Sequence, residues 1–445
     1  MNSDPRMTLR ALLDRGLIEP AGDGRFQIHS LLSAFAASMI EEDPELPSLR
    51  EVQLRRLRHY EVKLGAANEA FLLGGRAQRD WLGVFDADWE GIRAAYLWAA
   101  SLMEEDEEAA DYVNRYAGVG SSVLAFRLPP REFIRWMELA LRAARRLEDA
   151  ESVVTRKANL GTGYLMAGAY PEALPYFEEA LADARAAEDR HGEAPALGNL
   201  ASTYSALGDT DRAVACAEEC VTVAREIGDR GIEAKALGTL GEIYAELGRP
   251  RDAVRCLKGQ KDVAHEIEHA PSEARAMRKL GIFYRELGHP WRAAVFFEAA
   301  ASAFEDLDDR EALRGVLLSH GILCAKQEAY EDALGLFDRV LESAEGDGDG
   351  AAGAPALMNQ GNVRDAQGLP DLAEDLYRRA IDAARDGGHA GTLGDASWNL
   401  AQLLEAKGDR RGAVGAARDA AGAYRSVGNP NEERVLSWLR DQGVD

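Results

Sequence analysis

The chain has 445 residues, with 46% hydrophobic and 29% charged positions, the balance of a folded chain rather than a disordered one. Its formal net charge is −24, from 52 Lys+Arg against 76 Asp+Glu. That field repels phosphate backbones and anionic lipid, so neither nucleic acid nor a membrane surface is expected as partner.

Four cysteines in this length do not build a disulfide scaffold and fit a reducing, cytoplasmic setting. No apolar run approaches the roughly 20 residues of a membrane span. The first residues, MNSDPRMTLRALLDRG, lack the apolar core of a secretion signal.

In chain order, residues 7–41 read helix, hairpin, helix. Gly16 stops the first helix, and LIEP and RFQIH form short strands around Gly22-Asp23-Gly24, a tight-turn sequence. This segment resembles the second half of the winged-helix domain in STAND-type (NB-ARC) NTPases. In that family a strand ends in a Met-His-Asp-like motif whose His contacts ADP phosphates. Here the motif stands as Ile28-His29-Ser30, with Ser in place of Asp. The resemblance therefore implies nucleotide sensing at His29. WLGVFDADWEGIRAAYLWAAS, residues 81–101, is similar to the segment that follows the winged helix in bacterial STAND regulators. The implied organisation is a partial winged helix over 1–48, a helical linker over 49–118 and a degenerate helical repeat over 119–153. The last of these carries Ser121, Leu124, Phe133, Met137 and Ala140.

No Walker A loop is present. That loop needs Gly-Lys in sequence to cradle phosphates, and none of the eight lysines follows a glycine. His29 alone makes no nucleotide site, so no cofactor is expected. An NTPase core segment, in cis or in trans, is the implied partner. The winged-helix remnant lacks a clustered basic recognition helix, which argues against DNA.

From residue 154 the chain falls into rows of forty. Gly161, Ala201, Gly241, Gly281, Gly321, Gly361 and Ala401 share one column, and Gly168, Gly208, Gly248, Gly288, Glu328, Gly368 and Gly408 another. Ala173, Ala213, Ala253, Ala293, Ala333, Ala373 and Ala413 form a third. A fourth holds Phe177, Ala217, Leu257, Phe297, Phe337, Tyr377 and Ala417. Seven rows without an insertion predict an array of antiparallel helix pairs. Apolar residues at helical spacing give each helix a face, a left-handed glycine ends the first helix, and Asp or Pro opens the second. Each pair buries its faces only by stacking on neighbours. The columns resemble the tetratricopeptide repeat, with a period longer than the usual 34 residues, as in kinesin light chain repeats. The fold class is thus an all-α superhelical solenoid over 154–430, with the winged-helix remnant in front and a capping helix in 431–445.

For this repeat the resemblance implies a protein or peptide held in a concave groove lined by first helices. Two positions before the small column stand Asn159, Asn199, Thr239, Lys279, Ser319, Asn359 and Asn399. An amide donates and accepts together and so matches a peptide group. The four Asn residues either bond a ligand's main chain or brace their own helices. Row four is basic on its first helix, with Arg275, Arg278, Lys279 and Arg285. This island takes an acidic peptide or phosphate, or pairs with acidic neighbours. Trp398, at a similar position in row seven, is expected to anchor an apolar side chain.

Other chemical-looking groups read as scaffold. His265-Glu266-Ile267-Glu268-His269 is a literal HExxH, the pattern of a zinc hydrolase, but the register places His269 past the helix end. Cys216, Cys220 and Cys256 fall at buried small positions. Residues 346–353, GDGDGAAG, lack the acidic set of a calcium loop and read as a flexible connector. Arg50, Arg55, Arg56 and Arg58 read as a solvated or salt-bridged face rather than a phosphate site, and Glu104–Glu108 as a solvated helix end or loop. No nucleophile–base signature appears. The expected function is a non-catalytic sensor or docking module, with a free-standing scaffold joining two proteins as the alternative.

Overall fold

The computed structural model describes residues 18–22, 25–28, 48–73 and 75–444. By contact the chain divides, apart from residues 74–76, into a unit that runs to Ala167 and a unit from Gly168 to the C-terminus. The division falls inside the first of the seven rows.

The first unit opens with strands β1 (Ile18–Gly22) and β2 (Arg25–Ile28), an antiparallel hairpin with Ile18 opposite Ile28 and Gly22 opposite Arg25. His29 and the two flanking helices read from the sequence lie outside the described residues. Among the described residues six helices follow: α1 (Leu49–Leu73), α2 (Gly75–Leu102), α3 (Glu107–Val119), α4 (Ser121–Arg127), α5 (Pro130–Arg146) and α6 (Ala150–Met166). Their core is aromatic. The Tyr96 and Trp136 rings stack with centroids 3.8 Å apart, and the Tyr96 hydroxyl donates to the Trp136 carbonyl at 2.7 Å. Tyr116 donates to the Leu57 carbonyl at 2.8 Å, tying α3 to α1. Phe133, Met137 and Ala140 are all buried. The chain breaks between α3 and α4 at Gly120, where a Cβ would meet Leu64 Cγ at 2.6 Å.

The arginines of α1 are tied down. Arg50 binds Asp106 and Glu108, each at 2.9 Å, Arg55 binds Glu51 at 2.6 Å, and Arg58 donates to the Tyr112 hydroxyl at 3.0 Å. Asp106 also caps α3, accepting from the Ala109 amide. A buried arginine that the sequence did not flag, Arg156, donates from α6 to the side chain of Asn114 at 3.0 Å and to its carbonyl at 3.1 Å.

The second unit is the array. It begins with α7 (Tyr170–Ala186), the second helix of row one. Rows two to five follow as α8 (Arg190–Ala206) and α9 (Thr210–Ile227), α10 (Arg230–Glu246) and α11 (Pro250–Glu266), α12 (Ala270–Glu286) and α13 (Pro290–Asp306), α14 (Arg310–Lys326) and α15 (Tyr330–Gly346). After a 3-10 turn at Gly350–Gly353 come α16 (Ala354–Ala366) and α17 (Pro370–Asp386), then α18 (Ala390–Ala406), α19 (Arg410–Ser426) and the terminal α20 (Asn431–Asp441). Within rows two to seven the two helices pack together, and in the second unit each second helix packs on the next row's first.

The columns explain the packing. All seven residues of the alanine column are at most 1% exposed, which marks the close approach of paired helices. The small and aromatic columns are complementary in size. A Cβ on Gly281 would lie 2.6 Å from the Phe297 ring, on Gly321 2.5 Å from Phe337, and on Gly361 2.6 Å from Tyr377. Where the fourth column shrinks to Ala217 or Ala417, the small column grows to Ala201 or Ala401. Volume is thus conserved across each helix pair, as close packing demands.

The turns repeat as well. Gly168, Gly208, Gly248, Gly288, Gly368 and Gly408 all have φ between 66° and 82°, the left-handed region in which glycine carries no Cβ penalty. Glu328 holds the same conformation at φ 61° without that freedom. A second left-handed column, missed in the sequence, joins one row to the next: Glu188, Gly228, Glu268, Asp308, Gly348, Gly388 and Gly428. The residue after it caps the following helix in most rows. Asp189, Asp229 and Asp309 each accept a backbone amide three residues on, and His269 does so through Nδ1 at 3.2 Å.

The connector at 346–353 is built, contrary to the flexible loop expected from its composition. Asp347 pairs with Arg310 at 2.6 Å and with Arg314, and Asp349 caps the 3-10 turn through the Ala352 amide. Acidic side chains supply the order that the glycines withhold.

Candidate functional site

Rows two and three seal their joints with charge. Glu193 is 3% exposed and accepts from Arg185 at 2.8 Å and Arg190 at 2.5 Å, and Arg190 passes on to Glu226. Glu233 repeats this arrangement with Arg225 at 2.7 Å and with Arg230, which reaches Glu266. The Arg185 hydrogen bond, followed by that of Arg190, holds the Glu193 carboxyl below its ordinary value against the opposing effect of burial.

At the next joint the pattern lapses. Glu273 occupies the same column, but its partner is His265 at 3.2 Å, and Ala270 stands where Arg190 and Arg230 stood. The arginines of row four sit elsewhere on α12. Lys279 pairs with Glu242 of row three. Arg275 donates Nε to the Pro271 carbonyl of its own helix at 3.1 Å. Arg278 is half-buried, its Nε enclosed without a hydrogen-bond partner and its Nη1 3.3 Å from where a Cβ on Gly315 would sit. Neither Arg278 nor Arg285 has a carboxylate partner among the described residues. So pairing accounts for Lys279 alone, and three guanidiniums keep their charge available on a strongly acidic chain.

The asparagine column divides. In the first unit, Asn159 Nδ2 is buried with no partner. In the second unit, the Asn199 side chain is half-buried and makes no hydrogen bond among the described residues. Asn359 donates to the Pro355 carbonyl at 2.8 Å and braces its own helix. Asn399 donates to Asn362 Oδ1 at 2.9 Å, which also accepts from the Tyr377 hydroxyl at 2.8 Å. Thr239 and Ser319, in the same column, bond carbonyls four residues back. Asn199 is therefore the member in the second unit whose amide is unspent.

Trp398 does not project as a free anchor. It is 9% exposed, packed edge to face on Trp438 of α20 with centroids 5.7 Å apart. Row seven by itself does not show this, because the cover comes from the capping helix beyond it.

The HExxH letters are split by the fold. His265 lies in the last turn of α11, Glu268 turns left-handed at φ 55°, and His269 caps α12. The two imidazoles thus belong to different helices, and the i, i+4 spacing that a metal would need is lost. Among the described residues no cluster of metal-ligating side chains occurs. Burial raises all four cysteine thiols, Cys220 to about 11, so they stay protonated and unreactive at neutral pH. No helix among the described residues is long and apolar enough to cross a membrane.

A tetratricopeptide repeat family model matches residues 153–226, 192–258, 232–306 and 313–386, together just over half of the chain. No curated protein matches the sequence. Solved structures share the fold, among them the following three. A signal transduction ATPase with numerous domains (STAND) from Pyrococcus horikoshii, which carries a tetratricopeptide repeat sensor, aligns with a TM-score of 0.56 at 14% identity. The alignment covers 99% of this chain and 61% of that one, so the chain spans less than two thirds of that ATPase. The apo quorum sensor NprR from B. thuringiensis aligns at 0.52 with 14% identity, over 78% of this chain and 97% of that one. Aspartyl phosphate phosphatase F from Bacillus subtilis aligns at 0.50 with 13% identity, over 82% and 94%. At these identities the likeness is one of fold.

Proposed function

The chain belongs to the tetratricopeptide repeat family, and from that premise we propose that it is a non-catalytic sensor whose first-helix face binds an acidic segment of a peptide or protein. The observation that carries this reading is the set of guanidiniums on α12 left without carboxylate partners, Arg278 and Arg285 above all, in a chain of net charge −24. A chain this acidic has carboxylates to spare, and elsewhere its arginines use them. Leaving a half-buried guanidinium unpaired is costly unless a partner supplies the acceptor. Lys279 and Asn199 extend the same face, one as a charge and the other as an amide suited to a main-chain group.

The biological setting we propose is the sensor part of a STAND-like regulator, working with an NTPase core in cis or in trans. The likeness in fold to the STAND ATPase and to the quorum sensor supports a sensing array, and the order of hairpin, helices and repeats supports the STAND setting. Occupancy of the first-helix face would then bias how the array engages the NTPase core.

The test uses the full chain and a labelled octaglutamate peptide, with octalysine and a Gly-Ser octamer as comparators. Octaglutamate binds in preference to both, its affinity falls as salt rises, and the pair Arg278→Gln with Arg285→Gln weakens it about tenfold or more. Arg251→Gln, on a second helix, leaves it unchanged. Equal binding of the three peptides, or full binding by the double variant, would overturn the reading.

A further inference from the structure

At its C-terminal end the array meets its last neighbour. α20 stands where an eighth first helix would begin, and Trp438 falls in the column of Trp398, forty residues on. The N–H groups of these two indoles fare differently. Trp438 Nε1 donates to Glu405 Oε2 at 3.1 Å, whereas Trp398 Nε1 is buried without a partner in a residue 9% exposed. Leaving a buried donor unmade costs about 1–3 kcal/mol, and such donors are rare in native proteins.

A cavity of about 260 Å³ lies at this indole, lined among others by Met358, Asp395, Tyr424, Arg434 and Val435. Asp395 Oδ1 takes the Tyr424 hydroxyl at 2.7 Å, and Asn399, also in the wall, donates one amide N–H to Asn362. Two further donors at the pocket are unspent. The exposed Arg434 guanidinium lies over the Trp398 ring, 5.7 Å from its centroid, with no hydrogen bond or ion pair among the described residues. One orphan indole N–H and one free guanidinium therefore sit together beside the apolar atoms of Met358 and Val435.

That combination selects a ligand chemistry. Two neighbouring donors, one of them charged, suit the two oxygens of a carboxylate. The Asp395 carboxylate in the same wall opposes a doubly charged phosphate about twice as strongly as a singly charged carboxylate. The volume is below the roughly 300–1,000 Å³ of pockets for drug-sized ligands, and suits a group about the size of one amino-acid residue. We propose that this pocket binds a carboxylate carried on a short aliphatic group. Arg434 and the Trp398 N–H hold its oxygens, and Met358 and Val435 meet the aliphatic part. The source of the carboxylate is a peptide's C-terminal residue or a free small acid. This inference is independent of the acidic-segment reading, which rests on row four.

The test follows the indole N–H resonances of the full chain by NMR, with Trp398→Phe assigning the relevant peak. The probes are N-acetyl-L-leucine, N-acetyl-L-leucinamide, 4-methylpentanoate and inorganic phosphate. The carboxylates shift the Trp398 resonance saturably, while the amide and phosphate do not. Arg434→Gln weakens binding about tenfold or more with an unchanged circular dichroism spectrum. Followed through the Leu and Val methyl resonances, Trp398→Phe also weakens it while keeping the ring in place. Tighter binding of N-acetyl-leucine than of 4-methylpentanoate assigns a chain end, and the reverse a free acid. Equal response to acid and amide, undiminished binding in Arg434→Gln, or no saturable shift up to about 20 mM would overturn the proposal.

Discussion

In row two, Glu193 is buried between Arg185 and Arg190, and Arg190 continues to Glu226. In row four, Glu273 has His265, Ala270 replaces the second clamp, and arginines appear instead on the first-helix face at 275, 278 and 285. The same forty-residue frame thus serves opposite ends. Row two consumes its own charges in closing a joint. Row four leaves charge over, and an array offers a partner only what it has not used on itself. The packing diverges in parallel, with Ala201 and Ala217 in row two against Gly281 and Phe297 in row four.

The most severe way to break this comparison is to empty row four's core. Phe297→Ala should lower unfolding free energy by about 3–5 kcal/mol, and Gly281→Ala by about 1–3 kcal/mol through overpacking against the ring. The double variant recreates row two's pair, so its cost should fall short of the sum by about 1 kcal/mol or more in chemical denaturation. Strict additivity would mean that the two columns are not sharing one space.

Next in size are the glutamates. Glu193→Gln should destabilise by about 2 kcal/mol, because it leaves two arginines facing a weakened acceptor. Glu273→Gln, 24% exposed with one imidazole partner, should cost under about 0.5 kcal/mol. The pH dependence sharpens the contrast. The Glu193 carboxyl is depressed in the folded state, so its contribution is present above its ordinary value of 4.5 and is lost as pH falls through the lower folded value. Denaturation midpoints measured from pH 6 downward should drop less steeply for Glu193→Gln than for the wild type.

Smaller effects test the turns and the free charge. Glu328→Gly should stabilise by about 1 kcal/mol, since row five alone places a side chain in the left-handed turn after a first helix. Arg278→Gln should leave the free chain at least as stable as the wild type, with a gain of up to about 1 kcal/mol from removing an unpaired half-buried charge, while lowering octaglutamate affinity. A large destabilisation would make Arg278 a structural residue, on the same footing as Arg190.

The legible part of this molecule is what depends on backbone and near neighbours. A glycine column reports a left-handed turn, an alanine column a close helix approach, and a Pro or Asp the start of a helix, all at fixed spacing. The separation of His265 from His269 was readable for the same reason. The clamps were harder, because Arg190 reaches Glu226 and Arg230 reaches Glu266 across two helices. Yet they recur at forty residues and a column of paired opposite charges would have disclosed them. The second left-handed column was masked by Glu188, Glu268 and Asp308, whose side chains hide a demand that Gly228 and Gly348 state openly. Burial of Trp398 was not readable from the row, since α20 supplies the cover.

The two turn types leave the rows with helices of 17 or 18 residues, row six giving up its first helix's opening turn to a 3-10 segment, and no residue over. Losing or duplicating forty residues in the array, wherever the break falls, therefore rejoins a helix or a turn to its own equivalent. A break that keeps a small-column residue with its own partner in the fourth column leaves that packing intact, whereas one between them sets Ala201 against Leu257 or Gly241 against Ala217. Such a protein can change its reach in a single genetic event when the break respects those pairs.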